Sequence, residues 1–307
     1  MSTAVAQNGS REAASVGVAQ LVRDLVALTK PRITFFVILT TAGGLWLARG
    51  RSGSLDPVAS LVAILGTALV VSSANALNCW WERDLDVHMA RTNNRPLPAG
   101  RISASTALWF GLALGVISVP LLTLMVNPIT GFLAAVALVS YVLIYTPMKQ
   151  RSPKALLVGS IPGAMPPLMG WTAATGHLEI PGLVLFGILF LWQLPHFLAI
   201  SMFRQNEYAK AGIKVLPSVR GNAVTKVHAI AYAGALVPVS LMLVPLGIAG
   251  NVYLWAMGVG GVLFAALCVS GLRASVVDNR WARAVFIASI VYLPLLFGAL
   301  AIDLATA

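Results

Sequence analysis

The sequence predicts an all-α membrane protein that crosses the bilayer nine times. Of its 307 residues, 58% are hydrophobic and 10% are charged, whereas about 25% are charged in an average soluble domain. A transmembrane helix needs about 20 consecutive apolar residues. The segments that reach this length lie near residues 31–49, 57–80, 105–126, 128–147, 155–174, 182–203, 224–247, 251–272 and 284–304.

The first 30 residues are expected to lie outside these spans. Residues 1–15 are small and polar and are expected to be disordered. Between residues 16 and 29 apolar positions recur on one helical face, which predicts an interfacial helix before the first span. These positions are Val18, Leu21, Val22, Leu25 and Leu28. The chain is therefore divided into a tail with an interfacial helix, 1–30, and a single nine-helix transmembrane domain, 31–307.

The basic residues predict the orientation of the chain. Of the 21 Lys and Arg residues, 19 lie in the N-terminal segment, in the loops after the second, fourth, sixth and eighth spans, or at the span ends next to these regions. Only Arg49 and Arg51 fall on the other side. Because positively charged loops remain cytoplasmic, the N-terminus is expected in the cytoplasm and the C-terminus outside. The net charge of +11 follows from this topology and from contact with anionic lipid, so no nucleic-acid partner is expected.

Polar side chains enter the end of the second span and continue into the loop that follows. The amides and carboxylates are three or four residues apart, which places them on one helix face. They are Asn75, Asn78, Glu82 and Asp86, and they are followed by Arg83, Arg91, Arg95 and Arg101. Oxygen ligands beside arginines suit a phosphate-bearing substrate carried on a hard divalent cation. The alternative is that the motif is only the solvated end of a helix.

A second group of candidate residues follows the fourth span. Tyr145 and Lys149 are four residues apart and share a helix face unless Pro147 breaks the turn, and Arg151 lies just beyond. The lysine could reach a diphosphate, and the tyrosine ring could face a carbocation. The alternative is an aromatic belt residue beside a positive-inside lysine, both of which are ordinary at a membrane interface.

A third group lies at the end of the sixth span. Gln193 and His196 stand within apolar sequence, where a polar group is costly and is by default a functional candidate. Arg204 and Glu207 follow, three residues apart. The alternative is a structural ion pair and a hydrogen-bonded core histidine.

Several segments of the chain, from about Lys30 to the last span, resemble one known family. They are Asn78-x-x-x-Glu82-x-x-x-Asp86, Met89-x-Arg91-Thr92-x-x-Arg95-Pro96-Leu97, Tyr145-x-x-x-Lys149, Arg151-Ser152-Pro153, Gly163-Ala-Met-Pro-Pro-Leu-Met-Gly-Trp171, Trp192-Gln-Leu-Pro-His-Phe197 and Phe203-Arg-x-x-Glu-Tyr208. The first motif is typical of the UbiA superfamily of intramembrane prenyltransferases. The last two, with the Pro-Pro segment, resemble its protohaem IX farnesyltransferase (haem O synthase) branch.

This resemblance implies nine helices around a central cavity that opens to the bilayer beneath cytoplasmic loops. It implies transfer of a farnesyl group from farnesyl diphosphate to a vinyl group of haem B, with water adding, to give haem O and diphosphate. It further implies magnesium as cofactor and a location in the bacterial inner membrane. Haem A synthase and terminal oxidase assembly are the protein partners that it suggests.

The resemblance also implies a role for each group of residues. The catalytic set is Asn78, Glu82, Asp86, Tyr145 and Lys149, of which Asn78, Glu82 and Asp86 are the metal ligands. The diphosphate-binding set is Arg32, Arg91, Arg95, Lys149 and Arg151. The haem-binding set is Gln193, His196, Arg204 and Glu207. Within it the imidazole ligates or orients the iron, and the guanidinium meets a propionate.

The chain departs from the superfamily pattern after the sixth span, where other members carry a second aspartate-rich motif. His196, Arg204 and Glu207 stand there instead, so a second magnesium ion is not expected. His88 and His228 are rival ligands for the iron. A prenyltransferase of the same fold acting on a quinone precursor such as 4-hydroxybenzoate is one alternative, and it predicts aspartates in this region. A transporter is the other, and it would carry its polar groups near the midplane, whereas here they gather at one face.

Overall fold

The computed structural model describes residues 17–52, 56–273 and 279–306. The expected disordered tail, 1–15, lies outside the described residues. These ranges contain helices and turns but no β-strand. The elements are α1 (17–28), α2 (Pro31–Ser52), α3 (Pro57–Trp81), α4 (Arg83–Asp86), α5 (Ala104–Met125), α6 (Pro128–Val139), a π-helix (Ser140–Tyr145), α7 (Thr146–Met148), α8 (Ala155–Thr175), α9 (Ile180–Phe203), α10 (Gln205–Lys210), α11 (Leu216–Leu241), α12 (Asn251–Ser270) and α13 (Asn279–Thr306).

Eight helices in the described part of the chain are long and apolar enough to cross a membrane. They are α2, α3, α5, the continuous run Pro128–Met148, α9, α11, α12 and α13. Large apolar side chains point outward from them, as Leu124 (83% exposed) and Trp255 (72% exposed) do, which is the arrangement expected in lipid. The prediction of an all-α polytopic membrane protein is confirmed. The fifth predicted segment forms α8, which has 21 residues but is not among the eight.

Two predicted boundaries were wrong. The seventh segment, expected over 224–247, corresponds to α11 (Leu216–Leu241), in which Gly221 (φ 82°, ψ 164°) separates a short first helix from the long one. The long helix therefore begins close to the predicted start. The error is at its end, because the chain turns away after Leu241 through Gly247, whose φ is 70°. The last segment, expected over 284–304, starts at Asn279. Its first turn is polar, so hydropathy alone misses it.

Pro147 does not break the helix that carries the second group of candidate residues. Proline lacks an N–H, and its ring collides with the carbonyl four residues earlier. The chain accommodates it by widening into the π-helix, so that the Thr146 N–H and Oγ1 both reach the Tyr141 carbonyl. The Lys149 N–H then donates to the Tyr145 carbonyl at 3.2 Å. Tyr145 and Lys149 therefore lie on one face, and π-helical turns often mark functional sites.

Helices α2 and α8 approach each other to backbone contact. A Cβ added to Gly44 would overlap the Pro167 carbonyl, and one added to Gly170 would overlap the Thr41 carbonyl. Only glycine permits this separation. The three prolines inside α8 are buried, which fits their tolerance in membrane helices packed among neighbours.

The four helices α9, α11, α12 and α13 enclose the largest apolar core, around Trp171, Tyr253 and Met257. A smaller cluster holds α1 against α3 and α5 through Leu28, Ala76 and Ala107. This smaller cluster places α1 directly beside the end of α3, where the first group of polar residues lies.

Candidate functional site

The amides and carboxylates at the end of α3 are buried. Asn75, Asn78, Glu82 and Asp86 are each 6% exposed or less. Helix α3 ends at Glu82, which caps it, and the four-residue α4 then carries Asp86 back toward the protein. The alternative of a solvated helix end is therefore wrong for these four residues. The alternative applies to Arg83 and Asp84, whose side chains are 37% and 84% exposed.

Three cationic side chains meet these oxygen groups. Lys149 Nζ donates to Glu82 Oε1 at 2.8 Å, and Arg95 NH1 donates to Asp86 Oδ2 at 2.6 Å. Lys30 Nζ donates to Asn78 Oδ1 at 2.9 Å. The structure thus joins the start of α2, the end of α3, the loop after α4 and the end of α7 at one place. Such charge-assisted hydrogen bonds are short and strong.

The π-helix supplies a second layer to the site. Asn78 Nδ2 donates to Thr146 Oγ1 at 3.2 Å. The Lys149 ammonium stands 4.4 Å from the centre of the Tyr145 ring, within the range of a cation–π interaction. Gly159 of α8 leaves room for this ring, because an added Cβ would lie 2.5 Å from two ring atoms. The site therefore presents an aromatic face directly beside its lysine.

The two lysines have different acidities. Burial lowers the pKa of Lys149, but the nearby Tyr145 and Glu82 outweigh burial and hold the pKa above its usual range. Burial is also the main influence on Lys30, and there it prevails, so that the pKa lies below its usual value. The surroundings thus favour the charged form of Lys149, whereas burial disfavours the charged form of Lys30.

The oxygen groups fit a hard divalent cation. Asp86 Oδ1 is buried and has no hydrogen-bond partner, so one carboxylate oxygen remains open to a ligand. Mg²⁺ is usually held by one or two carboxylates together with water and substrate phosphate, and Glu82, Asp86 and the Asn78 amide supply oxygen donors of this kind. Across 17–52, 56–273 and 279–306, no larger cluster of His, Cys, Asp or Glu is present.

The remaining predicted diphosphate ligands are not gathered at the carboxylates. Arg32, Arg91 and Arg151 are exposed. Arg91 acts electrostatically on Tyr208 of α10. The pKa of the Tyr208 phenol lies above its ordinary value, mainly because of burial, with opposing influences from Arg91, Lys149 and Arg204.

The loop after α10 is bonded to the chain beside the site. The Lys214 N–H donates to the Lys149 carbonyl at 2.9 Å. Tyr208 lies within electrostatic reach of both Lys149 and Arg204. This segment therefore connects the first two groups of candidate residues with the third.

His196 of α9 faces α13 and is held by hydrogen bonds. Its Nδ1 lies 2.8 Å from Ser289 Oγ, and Ser289 Oγ donates its single proton to the Phe286 carbonyl at 2.6 Å. The serine must therefore accept a proton from Nδ1, which leaves a lone pair on Nε2. Trp192 stacks on the imidazole with ring centres 5.2 Å apart, and Phe286 lies 4.9 Å from it.

The other predicted haem ligands point in different directions. Gln193 is 6% exposed and donates to the Ser160 carbonyl of α8 at 2.8 Å, so it binds helix to helix. Arg204 NH1 donates to both carboxylate oxygens of Glu207, at 3.1 and 3.2 Å. This pair lines an open groove of about 420 Å³ between α9 and α13, together with Phe203, Arg283, Phe286 and Ile287.

Three residues of these sites are not among the residues predicted from the sequence. Lys30 follows the predicted interfacial helix, and a lysine between an amphipathic helix and Pro31 at a membrane boundary is a usable signal. Tyr208 is part of a family motif but has no predicted role. Arg283 lies 79 positions after Arg204 in the sequence, with α10, α11 and α12 between them. No local sequence pattern links the two residues.

The chain matches the model of the UbiA prenyltransferase family over residues 37–290. The protoheme IX farnesyltransferase of Anaeromyxobacter sp. (strain Fw109-5) is 52% identical over 281 residues, which cover 92% of this chain and 93% of that protein. The protoheme IX farnesyltransferase of Sorangium cellulosum (strain So ce56) is 52% identical over 278 residues, covering 87% and 99%.

Solved structures share the fold. The structure reported for digeranylgeranylglyceryl phosphate synthase in membranes gives a TM-score of 0.79 at 18% identity and covers 92% of this chain and 98% of that chain. A UbiA homolog from Archaeoglobus fulgidus bound to DMAPP and Mg²⁺ gives a TM-score of 0.64 at 15% identity and covers 91% and 99%.

Proposed function

Because the chain belongs to the UbiA prenyltransferase family, and is therefore a prenyltransferase enzyme, we propose that it transfers the farnesyl group of farnesyl diphosphate to a vinyl group of haem B. The allylic C1–O bond breaks, a bond forms between C1 and the vinyl carbon, and water adds its hydroxyl to the neighbouring carbon and releases a proton. The products are haem O and diphosphate. The observation that carries this proposal is the buried meeting of Lys30, Arg95 and Lys149 with Asn78 and the two carboxylates.

The diphosphate is proposed to bind at this cluster. A leaving diphosphate gains negative charge as the C1–O bond breaks, and cations fixed in a buried site stabilise that charge. Lys149 and Arg95 have the necessary charge, and each is already held in place by a carboxylate. Arg32, Arg91 and Arg151 remain candidates for the outer phosphate oxygens, since their exposed side chains are free to turn toward the site.

Asn78, Glu82 and Asp86 are the residues proposed to hold Mg²⁺, with the open Oδ1 of Asp86 as one ligand atom. When bound, the ion acts as a Lewis acid on the diphosphate oxygens. Glu82 and Asp86 would then share their negative charge between the ion and their present partners, so that Lys149 and Arg95 become available to the diphosphate.

Tyr145 is proposed to stabilise the prenyl cation that remains after the diphosphate leaves. Its ring lies beside Lys149, at the place where the allylic carbon must be if the diphosphate contacts that lysine. An aromatic face attracts positive charge. The burial of Asn78, Glu82 and Asp86 would limit access of water while the new carbon–carbon bond forms.

The acceptor is proposed to bind between α9 and α13. His196 offers the lone pair of Nε2 to the haem iron, and the hydrogen bond to Ser289 fixes the ring, as second-shell partners commonly do. Arg204, with Glu207 beside it, offers a guanidinium to a propionate. Gln193 supports this region indirectly, by tying α9 to α8.

We also propose that α8 is a ninth span, with the N-terminus in the cytoplasm and the C-terminus outside. Lys149, before α8, is bonded to the loop after α10, so the ends of α7 and α9 lie on one side. Thr172, near the end of α8, accepts a bond from Asn127 at the start of α6, on the opposite side. Helix α8 must therefore connect the two sides. A bacterial inner membrane, with haem A synthase or a terminal oxidase receiving the product, suits this orientation.

Purified protein in lipid, supplied with farnesyl diphosphate, haem B and Mg²⁺, tests the proposal. We expect a haem product whose mass has increased by one farnesyl group and one hydroxyl, and we expect no product after chelation of the metal. A parallel reaction with 4-hydroxybenzoate is the control for the acceptor. Product from 4-hydroxybenzoate and none from haem B would reject the proposed acceptor.

A further inference from the structure

Helix α1 has two faces with different neighbours. Asp24 is 3% exposed and Leu28 is 1% exposed, and both turn toward the end of α3. The opposite face exposes large apolar side chains, namely Val18 (62%), Leu21 (43%), Val22 (53%) and Val26 (49%). A helix of this kind lies in the membrane interface. The apolar residues that the sequence places on one helix face are thus divided between two environments. Leu28 packs against the protein, whereas Val18, Leu21 and Val22 face the lipid.

A single arginine fastens the protein-facing side of α1. Arg101 Nε donates to Asp24 Oδ1 at 3.0 Å, and Gln20 Nε2 donates to Asp24 Oδ2 at 3.0 Å. The other two nitrogens of Arg101 donate to Asn94, to its side-chain oxygen at 3.3 Å and to its carbonyl at 3.1 Å. One guanidinium therefore joins α1 to the loop that precedes α5.

Both segments joined by Arg101 lead directly to the site. Asn94 is followed by Arg95, which binds Asp86. Helix α1 is followed by Thr29, whose carbonyl accepts a bond from Asn75 at 3.1 Å, and by Lys30, which binds Asn78. Neither Asp24 nor Arg101 contacts the carboxylates themselves. They act on two of the three cations at the site through short stretches of backbone.

The backbone of Lys30 needs such support. Its φ is 51°, in the left-handed region that residues other than glycine seldom adopt. A conformation of this kind is unfavourable and persists only when its surroundings enforce it. The next residue is Pro31, which itself disfavours helical conformations at the preceding position. If α1 were released, Lys30 would relax and its ammonium would leave Asn78.

We propose that Asp24 and Arg101 are positioning residues that hold Lys30 and Arg95 at the prenyl diphosphate. The inference rests on the proposed function in one respect, namely that this cluster binds the diphosphate. It adds that the N-terminal helix is part of the catalytic unit and acts as a strap across the ends of α3 and α5. The helix is fastened on one side by an ion pair and on the other by the apolar face that it turns to the lipid.

Charge reversal tests the strap. Asp24→Arg and Arg101→Asp are each measured as single variants. The ligand is farnesyl thiodiphosphate, a slowly reacting analogue of farnesyl diphosphate. We expect its Kd to rise about tenfold in each variant, which corresponds to about 1.4 kcal/mol of binding free energy. The same rise is expected in KM for farnesyl diphosphate, with KM for haem B unchanged. The double variant, in which the pair is restored with reversed charges, should recover most of the affinity. Arg23→Gln, exposed on the same helix, is the matched control and should bind normally.

The results separate positioning from folding and from the proposed reaction. A single variant that unfolds at lower temperature yet binds the analogue normally would overturn the positioning role, as would a double variant that recovers nothing. As a second measurement, Lys30→Gln is combined with Asp24→Arg and with Arg101→Asp. It should raise the Kd of each single variant little further, because Lys30 is already displaced in them. An additional tenfold loss would contradict the proposal. If the wild-type protein binds the analogue but does not modify haem B, haem B is not the acceptor and that part of the proposed function is wrong. The positioning role would still be tested by the Kd values for the analogue.

Discussion

Lys149 Nζ and Glu82 Oε1 form a 2.8 Å hydrogen bond between residues 67 positions apart in the chain. The lysine side chain is 16% exposed and the glutamate side chain 8%. Removal of one partner from a buried ion pair leaves an uncompensated charge, whereas removal of both is often tolerated. This pair therefore offers a way to separate stability from catalysis.

Lys149→Met should lower both the unfolding temperature and the turnover, the latter by about 100-fold or more, as for other removed contacts to a developing anion. The double variant Lys149→Met/Glu82→Gln should regain much of the unfolding temperature because no charge is left unpaired, yet it should remain inactive. Thermal unfolding in detergent and product formation are the two measurements. A double variant that regains activity would show that neither residue contacts the substrate.

Asp86→Asn should reduce turnover by about 100-fold or more while haem binding stays nearly unchanged. The substitution keeps the shape of the side chain but removes the charge that faces Arg95 and the proposed metal ion. Asp84→Asn in the same short helix is the matched control, since its side chain is 84% exposed. Haem titration and single-turnover kinetics decide the outcome, and equal loss of both properties would indicate a folding defect instead.

His196→Ala should abolish the part of the haem absorption spectrum that reports axial imidazole. Ser289→Ala should weaken haem binding by on the order of 10- to 100-fold, as loss of a second-shell partner commonly does at metal sites. Ser270→Ala, at an exposed serine whose hydroxyl donates to the Leu267 carbonyl of its own helix, is the control. An unchanged spectrum in His196→Ala would exclude this residue as the ligand and direct attention to His88 and His228.

Gly159→Ala should reduce turnover about tenfold in protein that still folds. The added methyl would lie 2.5 Å from the Tyr145 ring, so the ring must move away from Lys149, and a misplacement of about 1 Å can cost more than this. Gly234→Ala in α11 is the matched control, because no atom outside its own helix lies within 4 Å of the added Cβ. That change should be neutral or slightly stabilising. Turnover of both variants at equal folded concentration gives the comparison.

The sequence by itself determined the membrane class, the approximate positions of the long helices and the polar residues at the end of α3. These features are local, because apolar runs of about 20 residues and side chains three or four residues apart are set by helix geometry alone. The boundaries of α11 and α13 were less accurate, since a polar first turn and a glycine break do not alter average hydropathy enough to be seen.

Only the tertiary structure decided which side chains share the site. Lys30 reaches Asn78 across 48 positions, Arg101 reaches Asp24 across 77, and His196 reaches Ser289 across 93. No periodicity connects residues so far apart, because their contact depends on which helices pack together and at what depth. The strained backbone of Lys30 has the same origin. Its conformation is imposed by the packing of α1 on α3 and α5, so the residue acquires its place only when the chain is folded.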